Sequence, residues 1–336
     1  PEYQVLVTAN TAILSRELVA TVFPGWGRVE ALLLVDEPQM ESQVACEPEV
    51  GEESCPRYGG ETGANVFQAR PLQENAIVFQ AVPIDPPGDQ GERIVRITNL
   101  RARPSALLSE DGPPQVTTEV SVFQWDGDRV SVDNANRLSA RALPAVHFSV
   151  RSAFNEDPGA DKPALVLTPS LVPKTDPDAS RGFLLRFAEG FSSAFRRRNI
   201  ATSGFDPTFI VSQAIPGAVL QTETGFFNDT FPKESGLNLA GLADTGTRLR
   251  VVFTNIPTGV QVWVSTRDVA GSTNYDKDSP RALLTYADLQ GGGPFSLVNP
   301  WLESGYAQLY IDGASASATW EVVTADPSRV EDLYFS

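Results

Sequence analysis

The clearest structural signal in the chain is the segment Val120-Ser121-Val122-Phe123-Gln124-Trp125-Asp126-Gly127-Asp128-Arg129-Val130-Ser131-Val132. Apolar and polar side chains alternate along 120–125, which is the pattern of a strand with one face in the core and one in water. A second β-rich run follows Asp126-Gly127. Because Asp-Gly favours the positive φ angles of a two-residue turn, the segment predicts a β-hairpin.

Short runs of β-branched and aromatic residues, bounded by Gly, Pro, Asn or Asp, recur along the 336-residue chain. Helical periodicity is confined to 11–23, where β-branched residues favour a strand instead, and to 185–198. The pattern predicts an all-β protein of two immunoglobulin-like β-sandwich domains with few or no helices. The predicted strands are Tyr3–Thr8, Glu30–Val35, Asn65–Gln68, Ala76–Val82, Arg93–Leu100, Val116–Gln124, Val130–Val132, Val146–Val150, Phe183–Phe187, Arg248–Thr254, Val260–Ser265, Arg281–Tyr286, Tyr306–Ile311 and Ala318–Thr324.

A stretch rich in Pro and Asp marks the predicted domain boundary. We expect an N-terminal sandwich at 1–157, a linker at 158–180 and a C-terminal sandwich at 181–336. A partial internal repeat agrees with two related modules. Gly-Glu-Arg-Ile and Ile-Thr-Asn-Leu within 91–100 correspond to Gly-Thr-Arg-Leu and Phe-Thr-Asn-Ile within 246–256, with spacing that differs by one residue.

Composition excludes several classes of protein. Hydrophobic residues make up 41% of the chain and charged residues 20%, as in folded globular proteins. The excess of 42 Asp and Glu over 26 Lys and Arg gives a net charge of −16, which repels nucleic acid. Because no apolar run approaches the length of a membrane span, we expect no membrane-spanning segment.

Cys46 and Cys55 are the two cysteines of the chain and lie in a segment rich in Glu, Pro and Gly. A disulfide across so short a loop would stabilise the fold by about 2–3 kcal/mol. Zinc is disfavoured, since a metal site needs two further soft ligands and His147 is the one candidate. We therefore predict a disulfide and a secreted, extracellular or cell-surface protein, with two free thiols as the alternative.

Three parts of the sequence resemble a group of secreted β-rich, immunoglobulin-like proteins of soil bacteria. The first is Glu-Ala-Leu-Leu-Leu-Val-Asp-Glu-Pro at 30–38; the second joins Asn-Val-Phe-Gln at 65–68 with 84–88 and 96–102. The third is Gly-Leu-Ala-Asp-Thr-Gly-Thr-Arg-Leu at 241–249, with Phe-Thr-Asn-Ile-Pro following at 253–257. The resemblance implies export and a β fold, and it supplies no catalytic residues.

Two features resemble catalytic motifs. Asp244-Thr245-Gly246 matches the aspartic-protease signature, but that mechanism needs two such carboxylates and the chain contains no second copy. A turn before the strand at 248–254 accounts for the motif equally well. His147, the single histidine, lies in an alternating strand without a nucleophile motif nearby. We expect a protein that is not an enzyme.

Acidic residues cluster near the predicted hairpin at Asp126, Asp128 and Asp133. Calcium prefers oxygen ligands, and extracellular modules often bind it weakly. None of the acidic clusters has the twelve-residue spacing of a calcium-binding loop, so solvated turns are the simpler interpretation. We predict no cofactor, with calcium as the alternative.

Five tryptophans offer candidate sugar-stacking surfaces. Trp125 precedes the hairpin turn and Trp301 follows Asn-Pro, so we expect both to be exposed. Trp263 and Trp320 lie in strands with apolar neighbours, which favours the core for both.

The leading hypothesis is a secreted structural protein that forms a homopolymer or binds other surface proteins. Its terminal apolar segments are candidates to complete a neighbour's sheet by strand addition, with pairing inside their own chain as the alternative. The second hypothesis is a carbohydrate-binding or adhesive module, and a hydrolase is the third. The candidate strand-exchange residues are Tyr3, Val5, Val7, Leu333 and Phe335.

Overall fold

A computed structural model gives the fold. Within the residues that it describes, the chain forms nineteen strands and three short 3-10 helices (Met40–Ser42, Pro104–Leu107 and Leu237–Leu239), which confirms the all-β class. No helix in these ranges has the length and apolar composition to cross a membrane. The described residues are 2–19, 27–46, 63–84, 91–107, 112–152, 183–197, 224–228, 230–231, 236–243, 245–288, 291–298 and 305–336. The strands are β1 (Glu2–Ala9), β2 (Glu17–Val19), β3 (Arg28–Val29), β4 (Leu32–Val35), β5 (Val66–Gln68), β6 (Arg70–Gln73), β7 (Ala76–Pro83), β8 (Val95–Thr98), β9 (Gln115–Gln124), β10 (Arg129–Val130), β11 (Asn136–Arg141), β12 (Val146–Ser152), β13 (Phe183–Glu189), β14 (Arg248–Phe253), β15 (Trp263–Ser265), β16 (Ala282–Leu284), β17 (Tyr306–Gln308), β18 (Ala316–Val322) and β19 (Asp332–Phe335).

The chain divides into two compact units, and each contains two separate segments. Unit 1 consists of Pro1–Leu143 and Ala201–Leu242, and unit 2 of Pro144–Ile200 and Ala243–Ser336. This division differs from the predicted single boundary, because β12 belongs with unit 2 through its pairing with β13. The predicted linker at 158–180 lies outside the described residues.

Unit 1 contains two antiparallel sheets packed face to face. The larger sheet has the order β10-β9-β1-β7-β6, with β11 also paired to β9, and the smaller has the order β5-β4-β8. A short β2–β3 pair accompanies them. Val5, Val7 and Phe79 of the larger sheet share a core with Leu33 and Phe67 of the smaller one.

Strand β4 is buried on both faces. While Leu33 faces the larger sheet, Leu32 and Leu34 pack against Phe226 and Phe231 on the other side. An apolar run of this kind needs cover on each face, because a strand directs successive side chains to opposite sides. The 224–242 segment supplies the second cover, and this is why unit 1 includes it.

A buried carboxylate fixes that segment to unit 1. Glu30 is fully buried and accepts hydrogen bonds from Arg101 Nη2 at 2.9 Å and from the Gly241 backbone N–H at 3.1 Å. Arg16, which forms an ion pair with Glu30, also donates to the carbonyl of Leu239 at 2.7 Å. The two guanidiniums compensate the charge that burial would otherwise penalise.

Unit 2 surrounds Trp320, which is fully buried. Its indole stacks on Phe335 with ring centres 4.3 Å apart, and its N–H donates to the carbonyl of Ser265 at 2.8 Å. The surrounding sheets have the orders β12-β13-β19, β14-β18-β16 and β15-β17, and all their strand pairs are antiparallel. Side chains from all three sheets meet in one apolar core.

The predicted hairpin forms between β9 and β10, but its turn has three residues instead of two. The Gly127 N–H donates to the carbonyl of Gln124 at 2.9 Å, and the Gln124 N–H donates to the carbonyl of Asp128 at 2.8 Å. Gly127 has a φ of 96°, whereas Asp126 is not in the left-handed region. This is the three-residue loop that ends in a glycine bulge.

The partial repeat seen in the sequence has a structural counterpart. Asn99 comes directly after the last residue of β8, and Asn255 is separated from the last residue of β14 by Thr254. Both asparagines have a φ of 57°. Asn tolerates this left-handed conformation better than most residues. The two Thr-Asn pairs therefore end strands in the same local geometry, one in each unit.

Four strands, β3, β6, β11 and β19, are not among the predicted ones, whereas β2 lies within 11–23, where a strand is favoured. β6 contains Pro71, β11 is exposed throughout, and β3 has two residues. Proline and polar residues are typical of edge strands, where apolar alternation is weak. The two segments with helical periodicity in the sequence are 11–23 and 185–198. Their described residues include strand β2 and most of strand β13.

We expect Glu30→Ala to lower the free energy of unfolding of unit 1 by about 3–5 kcal/mol, because it removes the fully buried carboxylate with which two partly buried guanidiniums pair. The control is Glu119→Ala, whose half-exposed carboxylate lies 3.6 Å from Arg129 and whose loss should cost less than about 1 kcal/mol. Hydrogen exchange of the β4 amides in urea measures unit 1 separately from unit 2. Equal effects of the two substitutions would contradict the role assigned to Glu30.

Candidate functional site

An outward-facing group of aromatic and amide side chains lies on the β15–β17 pair. Trp263 is opposite Gln308 in the antiparallel register. The register continues past the strands, since the Leu309 N–H donates to the carbonyl of Val262 at 2.9 Å. The continued register places Tyr310 opposite Gln261. The outward side of this pair, called the aromatic face below, consists of Gln261, Trp263, Tyr306, Gln308 and Tyr310, whereas Ser265 of the same strand is buried.

Burial separates the two sides of the pair. Val264, Ala307 and Leu309 are buried in the core of unit 2. On the aromatic face, Tyr310 is 85% exposed and Trp263 is 42% exposed. Because alternate residues of a strand point to opposite sides, the packing that buries the three aliphatic residues directs the two aromatic rings outward.

The prediction that Trp263 lies in the core is wrong, whereas Trp320 is buried as predicted. The sequence Gln261-Val262-Trp263-Val264-Ser265 contained the correct signal. Its alternation groups the indole with Gln and Ser on one side and the two valines on the other.

Polar groups surround the exposed rings. The Trp263 indole N–H donates to Gln261 Oε1 at 3.4 Å, and Gln308 is exposed beside it. Ser336 Oγ donates to the Tyr306 hydroxyl at 3.0 Å and holds that ring against the end of the chain. These five residues include no Asp, Glu, Lys, Arg or His. The aromatic face therefore combines flat apolar rings with neutral hydrogen-bonding groups, which is suited to a neutral, hydroxyl-rich ligand.

The predicted sugar-stacking residues lie elsewhere. Trp125 is in the β9–β10 turn of unit 1, is 49% exposed and donates its backbone N–H to the carbonyl of Glu2 at 3.1 Å. Trp301 lies outside the described residues. Trp125 and Trp263 are thus both exposed, but Trp125 lies in a turn whereas Trp263 lies in a β-strand.

The candidate calcium ligands Asp126, Asp128 and Asp133 are exposed and are not gathered into a site. One Asp126 carboxylate oxygen instead accepts the Asp128 backbone N–H at 3.3 Å, as in an ordinary turn. Across the part of the chain that the structure describes, no three His, Cys, Asp or Glu side chains are grouped to hold a metal ion.

Cys46 is disulfide-bonded, and its backbone N–H donates to the carbonyl of Val66 in β5 at 2.7 Å. Cys55, the other cysteine of the sequence, lies outside the described residues. Cys46 is consequently anchored to the smaller sheet of unit 1.

The motifs that resembled catalytic sequences have structural contacts. Asp244 lies outside the described residues, but the Gly246 N–H donates to the buried Glu321 at 3.0 Å, and Thr247 Oγ1 donates to the carbonyl of Ala194 at 3.0 Å. Both contacts hold the turn that leads into β14. His147 is exposed on β12, opposite Ala188.

The predicted strand-exchange segments are both paired inside their own chain. β1, with Tyr3, Val5 and Val7, lies between β7 and β9 and is paired on both edges. β19, with Leu333 and Phe335, pairs with β13 on one edge, and its other edge bonds to the 265–273 loop. Exchange of either strand would first break these hydrogen bonds.

Unit 2 also contains a buried charged cluster that sequence reasoning missed. Glu189, Asp268, Arg281 and Glu331 are all at least nine-tenths buried. Glu189 accepts from two backbone N–H groups, one of them that of Glu331 at 2.9 Å, while Arg281 donates to Glu331. These contacts join loops around the core, so the cluster is a structural connection.

Burial raises the pKa of two carboxyls in this cluster. Desolvation raises the pKa of Glu189 and of Asp268, in spite of the backbone N–H groups that favour their ionised forms. Asp268 Oδ1 accepts from the Arg281 N–H at 2.7 Å, but Oδ2 is buried without a hydrogen-bond donor. The charged form of Asp268 is therefore incompletely compensated.

A cleft in unit 1, with a volume of 240 Å³, is lined by Asn10, Asn75, Glu74 and Arg103. The amides of both asparagines are occupied by the backbone, Asn10 with the carbonyl of Gln115 and Asn75 with that of Ala9. Its polar lining is therefore used to connect strand ends.

Comparison with known proteins finds no matching family model, no matching curated protein and no matching solved structure. The resemblance to secreted β-rich proteins of soil bacteria stays a prediction.

Because its folded-state pKa is raised, Asp268 contributes stability below the ordinary carboxyl pKa, and this contribution is lost as the pH rises through the folded-state value. We expect unit 2 to become more stable as the pH falls from about 7 toward about 4. Asp268→Asn keeps the Oδ1 acceptor and should reduce this slope without loss of stability at neutral pH. Urea midpoints across this range, followed by hydrogen exchange in β16, measure the effect.

Asp326→Asn is the matched control. Hydrogen bonds from Ser328 hold the pKa of the exposed Asp326 carboxyl below its usual value, so this group contributes stability that is lost as the pH falls. The control should steepen the gain in stability toward acid. An unchanged slope in Asp268→Asn, together with a loss of stability at pH 7, would disprove the explanation.

Proposed function

We propose that the chain is a secreted, non-enzymatic carbohydrate-binding module of the cell surface or extracellular matrix, and that it binds a neutral polysaccharide on the aromatic face. One observation carries this proposal: Trp263 and Tyr310 are exposed on the same side of one strand pair and are flanked by amide side chains.

The chemistry of the face supports a sugar ligand. Aromatic rings present a large apolar surface to the C–H face of a sugar, while Tyr and Trp keep a polar group for hydrogen bonding. Gln261 and Gln308 each offer an amide donor and a carbonyl acceptor for ring hydroxyls. Diagonal neighbours on an antiparallel pair lie about 7–8 Å apart, so two rings can contact one oligosaccharide.

Electrostatics favour a neutral ligand over a charged one. The chain has a net charge of −16, which opposes the approach of acidic polysaccharides. The aromatic face itself carries neither a basic residue to attract an anion nor a carboxylate to attract a cation. These charges do not weaken the binding of a neutral polysaccharide, because it carries no charge that they could repel.

The face is also rigid, because its strands pack on the core of unit 2. Val264 and Trp320 are buried directly beneath it, and the Trp320 indole bonds to the backbone of β15. A preorganised surface loses little conformational freedom on binding. The disulfide-bonded Cys46 supports an oxidising, extracytoplasmic location.

This proposal is favoured over a polymer linked through terminal strands. That hypothesis requires β1 or β19 to leave its own sheet, and both are hydrogen-bonded along both edges. The aromatic face needs no rearrangement to accept a ligand.

We expect Trp263→Ala and Tyr310→Ala each to weaken polysaccharide binding about tenfold, or about 1.4 kcal/mol, because each removes a stacking ring without opening the core. Pull-down with cellulose, chitin and starch, followed by calorimetry with soluble oligosaccharides, measures the change. Trp125→Ala, which removes an exposed tryptophan from unit 1, is the matched control and should bind like the wild type.

Two results would contradict the proposal. The first is a wild-type chain that binds none of these neutral polysaccharides. The second is binding that is lost in Trp125→Ala and retained in Trp263→Ala.

A further inference from the structure

Strand β12 is an open edge of unit 2. It pairs with β13 over Val146–Ser152 without a register shift, and it is the outer strand of the β12-β13-β19 sheet. Within the described part of the chain, no backbone hydrogen bond reaches its other edge. That edge presents unpaired N–H and C=O groups, which is the arrangement to which another strand can add.

Two other edge strands, β11 and β6, carry features that oppose strand addition. β11 has a register shift between Leu138 and Ala140 and carries Arg137 and Arg141, while β6 contains Pro71. Bulges, charges and prolines are the usual devices that block pairing of an edge. β12 has a continuous register, no proline, no glycine and no acidic residue, and its one arginine, Arg151, is the second-last residue of the strand.

The core side of β12 is also incompletely covered. The Phe148 ring packs against Phe187 with centres 5.1 Å apart, yet it is 51% exposed. Val146 and Val150 point to the same side and pack partly against the core. A strand added beside β12 would cover an apolar strip that unit 2 leaves at its border.

We propose that β12 pairs with β12 of a second copy of this chain in an antiparallel, two-fold symmetric dimer. The pairing joins two three-stranded sheets into one continuous six-stranded sheet. The inference is independent of carbohydrate binding.

Self-pairing is favoured because β12 is complementary to itself. In the register centred on Phe148, that residue lies opposite the partner's Phe148, and Val146 lies opposite the partner's Val150. On the other side, His147 lies opposite the partner's Ser149. Apolar groups meet apolar groups and polar groups meet polar groups, which is the condition for favourable cross-strand pairs.

Charge does not oppose this contact locally. Each copy has a net charge of −16, but β12 contributes no carboxylate to the shared edge, and in this register Arg151 lies opposite the partner's Ala145 and not opposite another charge. An interface of one strand pair is small compared with stable dimer interfaces, so the dimer is weak and depends on concentration and ionic strength.

Sedimentation velocity of the full chain at increasing concentration tests the proposal. We expect a reversible shift from monomer to dimer, which higher salt strengthens by screening the net charge. Phe148→Lys places like charges opposite each other and should leave a monomer. The matched control, Leu138→Lys on the protected β11 edge, should leave the dimer unchanged.

Cross-linking tests the register and does not depend on the folding of the lysine variant. Under mild oxidation, Phe148→Cys should give an intermolecular disulfide, since the two thiols would face each other across the two-fold axis. His147→Cys should not, because its counterpart is the partner's Ser149. A wild-type chain that stays monomeric at every concentration, or a cross-link in His147→Cys alone, would overturn the proposal.

Discussion

The organisation of the molecule depends on a strand that is apolar on both faces. Leu32–Val35 form β4, and none of the four is more than 2% exposed. A strand buried on both faces needs a layer on each side. The larger sheet of unit 1 provides one layer, and Phe226, Phe231 and Leu237 provide the other. The chain therefore returns to unit 1 after β12 and β13 have already been placed in unit 2, and both units become discontinuous.

The same alternation that builds the core of unit 2 also exposes its aromatic face. Val264 and Leu309 belong to the core that surrounds Trp320. Their neighbours Trp263 and Tyr310 point to the other side of the strand pair, toward solvent. Packing of the core thus explains the direction of Trp263 and Tyr310, but it does not explain why those positions hold aromatic rings, since a polar residue would expose less apolar surface to water. The carbohydrate-binding role proposed above accounts for these aromatic residues, whereas folding alone does not.

Local features were predictable from sequence, and features formed by distant segments were not. The hairpin around Gly127 and strand β4 depend on neighbouring residues, so turn residues and a hydrophobic run were sufficient to locate them, although the turn has three residues instead of two. The pairing of β12 with β13 and the contact of Glu30 with Gly241 join segments far apart in the chain, and no short-range pattern records them. The aromatic face was half-predictable: the alternation around Trp263 was visible, whereas its pairing with the segment containing Tyr310 was not.

The two surfaces proposed for unit 2 use different chemistry and different strands. The aromatic face on β15 and β17 offers side chains to a ligand, whereas β12 offers backbone groups and an apolar border to another strand. Changes at one surface can therefore be made without altering the other. If both operate, a dimer presents two aromatic faces, and a polymeric ligand that contacts both is held more tightly than by either alone.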